Sequence, residues 1–402
     1  MKDELYSISS CSKEIFGDER NLLILGSVQS PPEALLSLKG QVQCVYVDPP
    51  FMTGKSFPRK RFYGEKGWKK GIPVLTLPGF EDSASDEQAY LEMLQSIIEL
   101  ARELLCDSGV FYLHLDWRMS AHARLLCDRV FGKDRFLNEI IWSYESGGRS
   151  KKFFPRKHDN ILMFSKTDKY HFDLTRVPLD RGNVRHNHMA RGVDYDGRGY
   201  SSIRVGGKEY RYYDDEPVYP GDVWSDIGFL QQRDPERTGY STQKPLKLLD
   251  RLLRPVTLPG DLVVDFCCGS GSTLAAAQAV DCRFAGMDIN PEALAVTLSR
   301  LSLEDLSLLS PTVEDNARLL TSLDPLSGLL RVEGLLTEDG ILPSDTPESN
   351  LESWETGVIR DGAFHASNRQ CFRRSPLSPR LNDALPLTSG SLPPAILTTD
   401  AA

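Results

Sequence analysis

An α/β fold built on a mostly parallel sheet is the class this sequence predicts, and three observations carry it. Short runs rich in β-branched and aromatic residues alternate with stretches of helical periodicity. Two of those runs stop abruptly at turn-forming residues, Asp48-Pro49-Pro50 and Gly269-Ser270-Gly271. A composition of 40% hydrophobic and 26% charged residues over 402 positions is that of a globular chain, and it excludes collagen-like and wholly disordered readings. That length admits roughly two or three domains, or one large α/β domain carrying insertions.

The elements follow in order. Asn21–Leu25 is a short apolar strand. Pro31 and Pro32 suit the start of a helix over 32–38, because the first-turn N–H they lack has no helical partner. Val42–Val47 (VQCVYV) runs straight into Asp48 and two prolines, as a strand buried on both faces does. Residues 52–85 are rich in Gly, Pro and Lys and predict a long loop. Residues 86–105 place Tyr90, Leu94, Ile97, Ile98, Ala101 and Leu104 on one helical face. Asp107-Ser108-Gly109 stops that helix, 110–115 forms the next strand, and Ser120–Val130 the next helix. Residues 138–144 and 160–164 read as a hairpin-like pair of strands. Periodicity fails over 166–240, then returns as a helix over 245–254, a strand over 262–266 and a helix over 272–280. A strand over 283–287 and a helix from Pro291 complete the alternation. Beyond about residue 305, Leu, Ser, Thr, Pro and acids dominate; helical pieces near 313–323 and partial disorder over 341–402 are expected.

No apolar run reaches the roughly 18 residues of a membrane span, and the N-terminus lacks an apolar signal core. The eight cysteines form no C-x-x-C pair, which argues against a zinc knuckle and for a reduced, cytoplasmic setting. His186 and His188 have no Cys or His neighbour, so no metal site is expected. The net charge of −9 argues against nucleic acid only on average. Lys55, Arg59, Lys60, Arg61, Lys66, Lys69 and Lys70 crowd one stretch against Glu65 alone. Arg149, Lys151, Lys152, Arg156 and Lys157 crowd another, interleaved with Phe153 and Phe154. Charges decouple beyond about 8 Å in physiological salt, so local basic surface on an acidic chain can bind phosphate. Solvated loops account for the same charges equally well.

Two segments carry chemistry. Val264-Asp265-Phe266-Cys267-Cys268-Gly269-Ser270-Gly271-Ser272-Thr273 is a strand, a glycine turn and a helix start. Such a turn lets backbone approach a ligand and offers free N–H groups to an anion. The next strand ends at Asp288, an acid placed to accept hydrogen bonds from a ribose. Leu274 stands where a nicotinamide fingerprint needs its third glycine, and a glycine-tolerant turn of any α/β protein looks the same. The second segment is Asp48-Pro49-Pro50-Phe51, at the carboxyl end of a strand, where open α/β sheets form their crevices. A carboxylate, carbonyls fixed by prolines and a flat ring suit a planar heterocycle bearing an exocyclic amine. A plain strand-ending proline turn is the bland alternative.

Together, DPPF and DFCCGSGST resemble the motifs of the DNA amino-methyltransferases that modify adenine N6 or cytosine N4 with S-adenosyl-L-methionine. Their order, with DPPF first, is similar to the circularly permuted β group. VDPPFMTGK (47–55), residues 138–166 and YSTQKPLKLLDRLL (240–253) resemble further family segments. The resemblance implies a Rossmann-like methyltransferase sheet, mostly parallel, with an antiparallel edge at 138–164. It divides the chain into a catalytic half (1–165), a target-recognition region (166–240), a cofactor half (241–304) and a C-terminal extension (305–402).

By the same resemblance, Asp48, Pro49 and Pro50 take the target amine and Phe51 stacks on a flipped base. Asp265, Phe266, Gly269, Ser270, Gly271, Ser272 and Thr273 hold the cofactor, with Asp288 on its ribose and Thr242 and Lys244 near its methionine end. Lys55, Arg59, Lys60, Arg149, Lys151, Lys152, Arg181 and Arg185 become candidate DNA contacts. Phe51 replaces the family's usual Tyr, and Ser27 stands where many relatives carry Asp. The implied activity is site-specific methylation of double-stranded DNA at adenine N6, in a restriction-modification or an orphan setting. A restriction subunit and a homodimer are compatible partners. Cytosine-N4 transfer shares the site, and an RNA or protein-amide substrate, or a non-catalytic DNA-binding subunit, stays open. Cytosine-C5 methylation is disfavoured because no Pro-Cys pair occurs.

Overall fold

A computed structural model describes residues 21–52, 55–62, 74–82, 87–145, 150–179, 189–231 and most of 234–301, with strand segments between 306 and 400. In chain order the elements are β1 (Asn21–Leu25), α1 (Glu33–Leu36), β2 (Val42–Val47), β3 (Lys55–Phe62), β4 (Val74–Asp82) and α2 (Glu87–Leu104). Then come β5 (Leu105–Leu115), α3 (Ser120–Val130), β6 (Phe136–Ser143), β7 (His158–Ser165), β8 (Ala190–Val193), β9 (Gly199–Val205), β10 (Lys208–Tyr213) and β11 (Val223–Trp224). The last group is α4 (Leu246–Leu253), β12 (Leu262–Asp265), α5 (Ser272–Ala279), β13 (Arg283–Asp288), α6 (Pro291–Leu298) and β14 (Leu306–Leu309).

Nine strands form one sheet in the order β11-β6-β7-β5-β2-β12-β13-β1-β14. Within it β7 alone runs antiparallel to its neighbours β5 and β6. The β6–β7 pair lies toward one end of the sheet, and the two-residue β11 adds outside it. The central strands are buried on both faces, which is why VQCVYV reads as a continuous run and not as an alternating one. Val45 and Val47 point into a core with α2 and α3, while Cys44 and Tyr46 point into a second core with α4 and α5. Gln43, the polar residue of that strand, donates to the carbonyls of Ser108 and Val256, so its burial is compensated.

Three expectations need correcting. The stretch 52–85 is not all loop: β3 and β4 pair antiparallel, with an irregularity between Phe57 and Arg59, where Pro58 has no N–H to give the ladder. Dense charge hid its strand character. The helix expected near 313–323 is absent among the described residues, where Arg318–Asp324 is a strand paired with Leu329–Thr337. The catalytic sheet also passes the boundary at 304, because β14 pairs in parallel with β1. Further strands, Leu351–Arg360, Ala363–Cys371 and Pro394–Asp400, pair within the stretch expected to be partly disordered. In the middle region, β8, β9 and β10 make a small antiparallel sheet.

Candidate active site

Strand register brings the two motifs together. β2 and β12 are parallel neighbours, with Val45 opposite Val264, so Asp48 and Asp265 emerge at the same sheet edge. β13 flanks β12 on the other side and delivers Asp288 to that edge. One cavity opens there, lined by Asp48, Pro49, Pro50 and Phe51 on one wall and by Asp265, Phe266, Gly269, Ser270, Ser272, Thr273 and Asp288 on the other. Thr242, Lys244 and Tyr240 close it, and Gly26 and Ser27 reach it from the end of β1.

The turn is built for close approach. Gly269 and Gly271 hold φ +51° and +70°, a region that L side chains seldom occupy. A Cβ on Gly269 meets the Tyr240 ring at 3.2 Å, and one on Gly271 meets the Thr297 side chain at 2.7 Å. Gly271 therefore serves the turn and not the cavity wall. Thr297 also donates to the Gly269 carbonyl at 3.0 Å. Asp288 accepts the N–H of Gly269 at 2.8 Å and of Asn290 at 2.9 Å. Asp265 accepts the N–H of Cys267 at 3.0 Å. Burial pushes the Asp265 carboxyl up to about 7, against hydrogen bonds from Thr273 and Cys267 that lower it. Burial likewise carries Asp288 up to about 6. Burial, with the carboxylates of Asp288 and Asp265, raises the Cys267 thiol well above its usual range, so it is no thiolate nucleophile. The Ser272 hydroxyl donates to the Lys244 carbonyl at 2.9 Å and accepts from Arg300 at 3.0 Å, so it is spent within the fold.

The other wall is polarised around Asp48. Its Oδ2 accepts from Lys244 Nζ at 2.5 Å, and both side chains are mostly buried. Its Oδ1 is buried and has no hydrogen-bond partner among the described residues. Lys244 Nζ also sits 5.0 Å from the Phe51 ring centroid. Lys244, expected near the cofactor, thus reaches the amine-binding carboxylate. The Pro50 carbonyl accepts from Tyr90 at 2.5 Å, which ties the motif to α2.

Several residues that matter here were not singled out from sequence. His114, fully buried, is bonded at both ring nitrogens, to Tyr46 at 2.8 Å and to Asp159 at 3.2 Å. Its ring lies 6.1 Å from that of Phe51. Tyr144 donates to the other Asp159 oxygen at 2.8 Å. Burial alone raises Asp159, but hydrogen bonds from His114 and Tyr144 and the charge of Lys244 hold it below the ordinary carboxylate range. The signal was a histidine inside an otherwise apolar strand, which burial forces to find partners.

The candidate DNA contacts divide. Lys151 and Lys152 are exposed. Lys55, Arg59 and Lys60 lie on β3, and their side chains are outside the described residues, as are Arg149, Arg181, Arg185, His186 and His188. Arg191 and Arg198 are exposed and pair with Asp214 and Asp215, both at 2.7 Å. Among the described residues no cluster of His, Cys, Asp and Glu suits a metal, and no helix is long and apolar enough to cross a membrane.

A mostly parallel sheet with a glycine turn and a proline-fixed carboxylate at its carboxyl edge defines a nucleotide-binding α/β protein. A family model described as DNA methylase, of the N6/N4 methyltransferases, matches residues 42–299, and the chain belongs to that family. It is 25% identical over 315 residues to the type II methyltransferase M.EcaI of Enterobacter cloacae, covering 65% of this chain and 65% of that enzyme. It is 27% identical over 301 residues to the DNA adenine methyltransferase YhdJ of Escherichia coli strain K12, covering 73% and 86%. Among solved structures, a DNA modification methylase of Thermus thermophilus complexed with S-adenosyl-L-methionine matches at 19% identity and a TM-score of 0.43, over 73% of this chain and 100% of that one. The chain thus spans just under two thirds of the length of the Enterobacter enzyme.

Proposed function

We propose that this protein methylates the exocyclic N6 amine of adenine in duplex DNA, with S-adenosyl-L-methionine as donor. The observation that carries the reading is the half-used carboxylate of Asp48. One oxygen is locked to Lys244, and the other is a buried acceptor without a partner among the described residues, beside the Phe51 ring and in one cavity with the glycine turn. A buried acceptor without a partner costs about 1–3 kcal/mol, which an amine N–H from a bound base recovers.

The cofactor fits the opposite wall. Asp288 and the Gly269 turn suit a ribose and a backbone-contacting ligand, and the cavity carries no side chain where a Cβ on Gly269 would stand. When bound, S-adenosyl-L-methionine supplies a methyl group activated by a sulfonium. The protein's own work is positional. A base inside a duplex is out of reach, so it is flipped out at a cost of a few kcal/mol. Phe51 stacks on it, while Asp48 Oδ1 and the Pro49 carbonyl accept the amine hydrogens and draw its lone pair out of conjugation. The nitrogen gains a bond to the methyl carbon as the carbon–sulfur bond breaks. Asp48 stabilises the positive charge that develops there before a proton leaves. Lys244 fixes the carboxylate in orientation, so that little reorganisation is left for the transition state.

Adenine is favoured over cytosine because the motif begins with Asp, and YhdJ, a relative over most of both chains, is a DNA adenine methyltransferase. Incubating methylation-free genomic DNA with the protein and isotopically labelled donor, then digesting to nucleosides, tests this. Label in N6-methyladenine is the expected result. Label in N4-methylcytosine moves the base assignment, and no label in either overturns the reading.

A further inference from the structure

We propose that Phe154 is a wedge that enters the base stack of the duplex and fills the gap left by the flipped nucleotide. The inference rests on the methyl-transfer reading above. Phe154 is 94% exposed, far beyond what a core or a packed surface ring shows. It stands among Lys151, Lys152, Arg156 and Lys157, so an apolar ring is carried on a basic rim. Such a pairing suits a partner with phosphates outside and an apolar stack inside.

The segment is placed for this role. β7 runs antiparallel to β5, with Asn160 opposite Leu115, and β5 lies beside β2, with Leu113 opposite Val47. The residues before His158 therefore leave the sheet at the edge that carries Asp48. The segment is also held. Ser150 accepts the N–H groups of Lys152 and Phe153, at 3.2 and 3.3 Å, which sets a turn. The Arg156 guanidinium lies 3.5 Å from the Trp117 ring centroid and 4.8 Å from that of Phe153, stapling the segment to the end of β5. Pro155 confines the Phe154 backbone to extended conformations. Phe153 and Trp117 are thus engaged by Arg156, while Phe154 is left projecting.

The test compares methyl transfer to two short duplexes that carry the protein's recognition site. In one the target base is paired, and in the other it faces an abasic position and is already unstacked. Phe154→Ala is expected to slow transfer to the paired duplex by about tenfold or more and to the abasic one by less than about twofold, with Phe154→Trp restoring the paired rate. Thermal melting of each variant should match the parent, because the ring packs on little. Equal loss on both duplexes overturns the wedge and makes Phe154 a general DNA contact or a wall of the base pocket. No loss on either also overturns it. A parent protein that methylates neither duplex defeats the underlying methyl-transfer reading instead, and the wedge falls with it.

Discussion

At the residue scale the account turns on a few buried carboxylates. Asp48→Ala should lower the rate of transfer by about a hundredfold or more, the size of losing a preorganised transition-state contact, with donor binding largely kept. Single-turnover kinetics beside calorimetric titration of the donor separates the two. Asp265 carries a different prediction. Its carboxyl is raised to about 7 from an ordinary value of 3.8. The folded state therefore binds the proton more tightly than the unfolded state, and stability falls as pH rises from about 4 through 7. The ligand-free protein should melt several degrees lower at pH 8 than at pH 6, and Asp265→Asn should flatten that slope. His114, bonded at both nitrogens and fully buried, predicts a loss of about 1–3 kcal/mol for His114→Leu in urea unfolding. Asp48 and Asp265 were legible in sequence because each ends a strand at a turn whose residues have few other uses. His114, Asp159 and Thr297 were not, because their partners come from strands or helices far away in the chain.

At the level of elements, the glycine turn is the most constrained piece. Gly269→Val forces a β-branched side chain into φ +51° and against Tyr240, so donor binding should fall below detection in titration while far-ultraviolet circular dichroism stays helical and stranded. The central strands and helices were readable because each strand is buried on two faces and each long helix on one; the expected helix over 120–130 is α3, residue for residue. The hairpin β3–β4 was unreadable for the opposite reason. Its first strand, KSFPRKRF, carries four basic residues and a proline, and only pairing with VLTLPGFED reveals it. Lys244 shows a related limit: its neighbours in sequence assign it to the cofactor wall, and only the packing of the segment before α4 brings it to Asp48.

For the whole molecule, the sheet joins segments from both ends of residues 21–309, so the two motifs act as one site only when the chain closes β2 against β12. β14 belongs to that sheet, which sets where the extension can be removed. A chain ending at residue 310 should keep methyl transfer, and one ending at 304 should lose thermal stability through the loss of an edge strand; parallel melting and activity assays check both. The most direct test of the central claim is single-molecule sequencing of DNA from a methylation-free bacterial host expressing either the parent protein or Asp48→Ala. The account predicts N6-methyladenine at one sequence motif with the parent and none with the variant. An unmodified genome from a folded, donor-binding parent, or the same modification with Asp48→Ala, would contradict it.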